Sequence, residues 1–547
     1  MSHSSFLKTA VVGAVSSTAM VATFNSVVAK EIVKPNVIYI LADDWGYGDV
    51  SVLNSQSKIK TPNTDALARG GMYFTDAHSS SAVCTPTRYG ILTGRYNWRS
   101  NLKRGVIGGY SKHLIQPNRK TVAEFLKENG YNTGYIGKWH LGWDWQTTDG
   151  KNPHQYKAKK GQKDFKYPKD KNGNDIYDNV DYTKKVKNGP STHGFDYSYG
   201  HCGSLDMAPY VYIENDMPTA VPNRVTVSKN KYGAGSWWRI GPTASDFDHL
   251  DVLGNFTRRG VKFIKEKAKE DKPFFLYLPL AGPHTPILPT KEFQGKSGLS
   301  NYGDFVMNID DTIGKVMKAV KEAGIEENTI IIVTSDNGCS PAADITGMAK
   351  KGHDANGPYR GHKADIFDGG HRVPFIVRWP AKIKPNSVSN DTVCLIDLYA
   401  TMADILNVKL ADNCAEDSVS ILPDLTNTAT KPVREAIVHH SIRGNYSIRK
   451  GDWKLNFCPG SGGWSYPRPG RDKKVLAELP KIQLYNLKVD VKEQNNLQAM
   501  YPEKVKELTA LMIKYIEDGR STPGKPQKNA KHGGMWNGVK EIYETMK

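Results

Sequence analysis

The sequence predicts an α/β fold, with a large, mainly parallel sheet flanked by helices and a smaller C-terminal α+β subdomain. Three observations carry this expectation. Short apolar, β-rich runs alternate with segments of helical period as far as about residue 430, the pattern of strands linked by helical crossovers. At 547 residues the chain is too long for one small core. Past residue 430 or so, short strand-like pieces instead follow one another before a single helix.

The elements follow in order. Asn36–Leu41 (NVIYIL) reads as a buried first strand. Residues 120–129 form an amphipathic helix with Val122, Phe125 and Leu126 on one face, ended by Gly130. Asn132–Ile136 is a second strand, and a helix around 252–270 leads to a third at Pro273–Pro279. Residues 302–323 give the clearest helix, where Phe305, Ile309, Ile313, Val316, Met317 and Val320 mark one stripe. Thr329–Thr334 is the fourth strand and Pro374–Val377 another. The C-terminal pieces are Ala436–His439, Tyr446–Arg449, Trp453–Phe457 and Gln483–Asn486, then a helix at 502–517. The expected division is a signal segment at 1–29, a catalytic domain at 30–430 and a C-terminal subdomain at 431–547. The late run GRSTPGKPQKNAKHGG should wrap the surface or stay mobile.

Composition narrows the class. With 24% charged and 10% aromatic residues the chain is ordinary globular protein. Residues 1–29 carry one charge, Lys8, then a small, apolar run closing in Val27-Val28-Ala29. That pattern reads as a secretion signal cleaved near Ala29, which makes the mature protein periplasmic or secreted. No later segment is apolar enough to span a bilayer. None of the six cysteines (Cys84, Cys202, Cys339, Cys394, Cys414, Cys458) lies in a C-x-x-C pair, which argues against structural zinc. Export permits disulfides, but their connectivity is not legible. The formal charge is +18, with lysine concentrated between Lys151 and Lys187. Such a surface attracts polyanions. No nucleic-acid-binding signature accompanies it, so the expected polyanion is a sulfated polysaccharide and not nucleic acid.

In open α/β sheets, ligands gather beyond the carboxyl ends of the strands. Asp43-Asp44 follows the first strand, Lys138-Trp139-His140 the second, His284 the third and Asp336-Asn337 the fourth. Adjacent carboxylates ending a buried strand repel unless a cation intervenes. The oxygens of Asp43, Asp44, Asp336 and Asn337 suit Ca²⁺, whereas Mg²⁺ demands a stricter octahedron. Pro86 favours a first helical turn, which puts Cys84 at a helix N-terminus where anions are stabilised. Arg88, one turn on, faces back toward that end. An unmodified Cys84 would be a low-pKa thiol or a buried small residue. Lys138 and His140 should leave the same side of an extended segment. Pro283-His284-Thr285-Pro286 holds a histidine in a rigid turn, and Lys363 precedes the glycine-punctuated loop Ile366–Pro374. Singly, each residue is more often structural; together they converge on one rim.

Cys84–Arg88 reads C-x-P-x-R and is followed by Thr93-Gly94-Arg95. Together with 130–140, the PHTP turn, TSDNG at 334–338, the loop 361–374, RKGDWKL at 449–455 and LYNL at 484–487, the chain resembles the type I sulfatases of the alkaline-phosphatase superfamily over most of its length. The resemblance implies that Cys84 is oxidised to formylglycine by a formylglycine-generating or anaerobic maturation enzyme. It implies that Asp43, Asp44, Asp336, Asn337 and the modified Cys84 bind Ca²⁺. Arg88 and Lys138 would steady the hydrated aldehyde, and Lys138 and Lys363 would neutralise the sulfate. His284 would protonate the leaving alcohol, and His140 would take a proton from the diol. His201, Asp206, Tyr210, His371, His440 and Trp464 are candidates to line the substrate pocket. The stretch from His193 is similar to sulfatases acting on 6-sulfated galactose or N-acetylgalactosamine. Two alternatives stay open, a phosphonate or phosphate-ester hydrolase of the same superfamily and a catalytically silent binder of sulfated glycans.

Overall fold

In the computed structural model, which describes residue 1 and residues 34–157, 165–530 and 537–545, the strand Asn36–Asp43 runs through the middle of a ten-stranded sheet. Every residue of it but Asn36 is buried, as its unbroken apolar run requires. The sheet order is Ser387–Ser389, Met72–Phe74, Phe375–Arg378, Thr329–Ser335, Asn36–Asp43, Phe274–Pro283, Asn132–Lys138, Tyr197–His201, Ile213–Glu214 and Met217–Pro218. The five strands from Thr329–Ser335 to Tyr197–His201 are mutually parallel. Phe375–Arg378 turns antiparallel at one side, and Ile213–Glu214 at the other. The predicted strands are all present, with ends displaced by at most four residues; Tyr197–His201 and the short edge strands add to them.

Helices Val252–Lys267 and Asn301–Glu322 pack on each other and on Phe274–Pro283. A second group comprises Cys84–Thr93, Val122–Glu128 and Leu398–Ile405. Thr121 and Glu124 close a reciprocal cap at the start of Val122–Glu128, satisfying two free N–H groups. The C-terminal strands Ile437–His440, Tyr446–Lys450, Trp453–Asn456 and Gln483–Asn486 form an antiparallel sheet in chain order, contacted by helix Pro502–Glu517. Its apolar cluster joins Ile437, Ile448, Leu455 and Leu508 to Tyr96 and Trp98.

Buried ion pairs stitch the two sheets. Arg449 and Arg372 both meet Asp76, each with a contact at 2.7 Å. Lys454 holds Asp368 at 2.7 Å and Glu493 at 2.9 Å. Between them His78, His371 and His439 lie fully buried. The signal segment lies outside the described residues apart from Met1, as do 158–164 of the lysine-rich stretch and 531–534 of the late Gly/Pro/Lys run. Among the described residues, no helix is long and apolar enough to cross a membrane. All six cysteines are buried, and among the described residues none forms a disulfide.

Candidate active site

The ends of two neighbouring parallel strands build the centre. Ala42 pairs with Ser335, so Asp43-Asp44 and Asp336-Asn337 emerge side by side. Asp44 takes a left-handed conformation (φ 68°), which aspartate tolerates better than most residues. Its N–H donates to Asp336 Oδ1 at 3.2 Å, and Trp45 N–H donates to Ser335 Oγ at 2.9 Å. All four metal candidates are buried to within 1% of full burial.

Cys84 is the first residue of helix Cys84–Thr93, with Pro86 in its first turn, as the sequence leads one to expect. The helix is buried throughout and ends at Gly94 in a left-handed conformation (φ 62°), the usual way a helix stops. Ligand atoms of Asp43, Cys84 and Asp336 lie within 4.8 Å of one another, as do those of Asp43, Asp44 and His284. Arg88 Nη2 reaches Asp336 Oδ2 at 2.7 Å, and its Nη1 donates to the Lys138 carbonyl at 3.0 Å. Lys138 Nζ meets Asp43 Oδ2 at 2.5 Å, and Lys363 Nζ meets Asp44 Oδ1 at 2.6 Å.

These contacts leave specific atoms over. Asp43 Oδ1 and Asn337 Oδ1 are buried without a hydrogen-bond partner, although Arg88 stands 3.5 Å from the former. Burial opposes the Asp43 charge, yet Lys138, His284, Arg88 and Lys363 together hold its carboxyl well below the usual range. Burial and the Asp43 charge push Asp336 up. Crowded carboxylates with spare oxygens in a dry site fit a hard cation. Burial pushes the Cys84 thiol up, while Lys138 and Lys363 pull it down.

Strand Asn132–Lys138 stops at Lys138, and His140 has φ 53°. The two residues therefore do not share one extended segment, contrary to the spacing argument: the chain turns after Lys138, and Trp139 and His140 donate their backbone N–H groups to the His201 and Cys202 carbonyls. His140 Nε2 donates to the Ile107 carbonyl at 2.8 Å and leaves buried Nδ1 without a partner. Burial, Lys138 and Arg88 hold its pKa well below the usual value. His284 Nε2 lies 3.7 Å from Asp44 Oδ2, and its Nδ1 faces the Thr285 carbonyl at 2.5 Å and Ser204 Oγ at 3.3 Å. Burial and Lys363 lower its pKa. Ser204 carries no sequence signal of its own, standing three residues past His201 and two before Asp206.

The pocket candidates divide. His201 ends its strand with Nε2 unpartnered, and burial, then Lys138, lowers its pKa to about 3. Asp206 is buried, with Oδ1 unpartnered and Oδ2 against Arg239. Tyr210 spends its hydroxyl on the Asp206 and Arg239 carbonyls. Trp464 is half-buried beside the Lys363 loop, where Asp365 accepts from its N–H at 2.7 Å. His440 is buried, and its carbonyl accepts from Ala82 N–H just ahead of Cys84. His371 is not brought to this group. It stacks on His439 at 3.8 Å in the seam between the sheets.

Comparison with known proteins agrees with this geometry. The Sulfatase family profile matches residues 35–408. The chain is 33% identical over 518 residues to an N-acetylgalactosamine-6-O-sulfatase of Bacteroides thetaiotaomicron, covering 88% of this chain and 92% of that protein. It is 26% identical to the N-acetylgalactosamine-6-sulfatase of Homo sapiens, over 92% of this chain and 89% of that one. A solved 6-sulfatase structure from work on glycosaminoglycan metabolism by Bacteroides thetaiotaomicron superposes with a TM-score of 0.73 at 31% identity, covering 88% of this chain and 99% of that one. The chain belongs to the sulfatase family: it is a type I sulfatase of the alkaline-phosphatase superfamily, and so a sulfuric ester hydrolase.

Proposed function

We propose that this sulfatase is exported and hydrolyses sulfate esters of a sulfated carbohydrate, 6-O-sulfated galactose or N-acetylgalactosamine within a polysaccharide, using Ca²⁺ and a formylglycine made from Cys84. The observation that carries the chemistry is the meeting of Cys84 with Asp43 and Asp336 within 4.8 Å, beside the spare oxygens of Asp43 and Asn337. The names of the similar proteins support the sugar.

Asp43, Asp44, Asp336 and Asn337 would hold the cation, which when bound screens the carboxylates and acidifies a ligated hydroxyl. Formylglycine at position 84 would supply, once hydrated, a paired hydroxyl nucleophile. The encoded residues do the rest. Lys138 and Lys363 offset charge on the sulfuryl oxygens, already fixed in place by Asp43 and Asp44. His284 gives the leaving oxygen its proton. Burial and Lys363 lower its pKa, and a bound anionic ester would raise it. His140 keeps the Nδ1 lone pair free, which suits it to take the proton that lets sulfate depart.

Peptide mass spectrometry across Cys84, on protein from its native host, tests the nucleophile. An aldehyde in place of the thiol, reactive toward hydrazide, is expected; an intact thiol in active enzyme overturns it. Paired aryl sulfate and aryl phosphate esters separate this reading from the phosphatase alternative, and faster phosphate release would reject it.

A further inference from the structure

We propose that the antiparallel hairpin Pro222–Ser228/Trp238–Ala244 is the sugar-side wall of the site. In it, Trp237 stacks on the glycan beyond the esterified residue, and Arg239 pairs with a second acidic group, sulfate or uronate, on the neighbouring sugar. This rests on the carbohydrate reading above. It concerns a region that no sequence motif marked.

The hairpin is tied to the leaving-group side of the centre. Ile287 N–H, three residues past His284, donates to the Gly235 carbonyl at 2.9 Å. The Arg239 N–H donates to the Asp206 carbonyl at 3.2 Å, and its guanidinium closes on the Asp206 carboxylate. Asp206 lies two residues from Ser204, whose hydroxyl is 3.3 Å from His284. His284 serves the departing alcohol, so an element anchored to it adjoins the sugar and not the sulfate.

The hairpin is also built for a polyanion. Residues 221–240 contain Arg224, Lys229, Lys231 and Arg239 and no acidic residue. Arg224 is spent on the Ala244 and Phe247 carbonyls, while the other three are exposed. Arg239 keeps 53% of its side chain in solvent although a buried carboxylate grips it, and its guanidinium lies 5.5 Å from the Trp237 ring. An arginine steadied at one nitrogen and backed by an aromatic face presents its remaining donors at little further entropic cost. The base is rigid, with Trp238 stacked on His249 at 4.1 Å. Val227, Tyr232 and Ile240 are exposed in the hairpin and its loop. Asp206 Oδ1, buried and unpartnered, is a ready acceptor for a sugar hydroxyl.

The test compares matured full-length enzyme on 4-nitrophenyl sulfate and on a hexasaccharide of alternating uronate and 6-O-sulfated N-acetylgalactosamine. Arg239→Gln should lower kcat/KM on the hexasaccharide about tenfold more than on the aryl ester, mainly through KM and with a weaker salt dependence. Trp237→Ala is the second variant, since it leaves the Asp206 pairing intact, and the same selective loss is expected. Equal losses on both substrates, or none, overturn the proposal. A wild-type enzyme that cleaves the aryl ester but no sulfated saccharide overturns the carbohydrate reading itself, and the hairpin's role with it.

Discussion

Two buried charge clusters stand in this molecule, and they differ in what they leave unsatisfied. In the seam between the sheets, Asp76, Asp368 and Glu493 face Arg372, Arg449 and Lys454, so that each carboxylate meets a cation. Its histidines bond to Asp76, to one another and to carbonyls, leaving His439 Nε2 over, together with Glu493 Oε1, which faces Lys454 at 2.9 Å. At the rim, Arg88, Lys138 and Lys363 also meet Asp43, Asp44 and Asp336. Yet Asp43 Oδ1, Asn337 Oδ1, His140 Nδ1 and His201 Nε2 remain without partners. Both clusters carry the desolvation cost of buried ions. The seam recovers it in packing between the sheets; the rim keeps valences for a ligand.

The contrast breaks most sharply on turnover. Cys84→Ala, Lys363→Ala and His284→Ala should each lower kcat by roughly three orders of magnitude or more, with the melting temperature little changed in Cys84→Ala and His284→Ala, whereas Lys363→Ala also strips buried Asp44 of its cation. Near-normal turnover in Cys84→Ala would remove the mechanism. The seam should show the reverse. Asp76→Asn leaves Arg372 and Arg449 facing a neutral partner and should cost about 3–5 kcal/mol of stability, read from denaturant unfolding. A stability matching wild type would mean that the seam is not structural.

Metal separates the clusters next. Millimolar Ca²⁺ should raise the melting temperature by mass action; Asp43→Asn should abolish that rise and Asp76→Asn should keep it. The same shift in both variants would place the ion elsewhere. Acid loads the buried histidines of the seam as well as those of the rim. Burial lowers the His78 pKa to about 4 and holds those of His371 and His439 well below their usual values. Folded groups with depressed values bind fewer protons than the unfolded chain, so stability present above about pH 6.5 is lost as pH falls toward 4. A denaturation midpoint that stays flat from pH 7 to pH 5 would contradict this. The smallest effect belongs to Ser204→Ala, about fivefold in kcat for a net hydrogen bond of about 1 kcal/mol to His284.

The rim was legible because each of its parts follows an apolar run whose end is easy to find. Asp43 and Asp336 sit two residues past the expected hydrophobic strands, and Pro86 marks the helix that starts at Cys84. The seam was not legible, since His371 and His439 look like neighbours of the site until the strand Ile437–His440 assigns alternate faces. His439 then goes to His78 and His371, whereas His440 hydrogen-bonds at Ser441. The turn at His140 depends on a positive φ that spacing cannot reveal. The hairpin is not legible because Pro222–Ser228 begins with proline and alternates polar with small β-branched residues. Only its distant partner Trp238–Ala244 makes it a strand.

The burial of Cys84 fixes an order of events in the life of the chain. Only 2% of the residue is exposed, at the head of a helix enclosed on every turn. An enzyme that must grip the Cys84–Arg88 segment to oxidise it finds no such handle on the finished fold. On the proposed formylglycine chemistry, maturation at this position would belong to the nascent or unfolded chain. On the same reading, a molecule that folded before modification would stay inactive until it unfolded again.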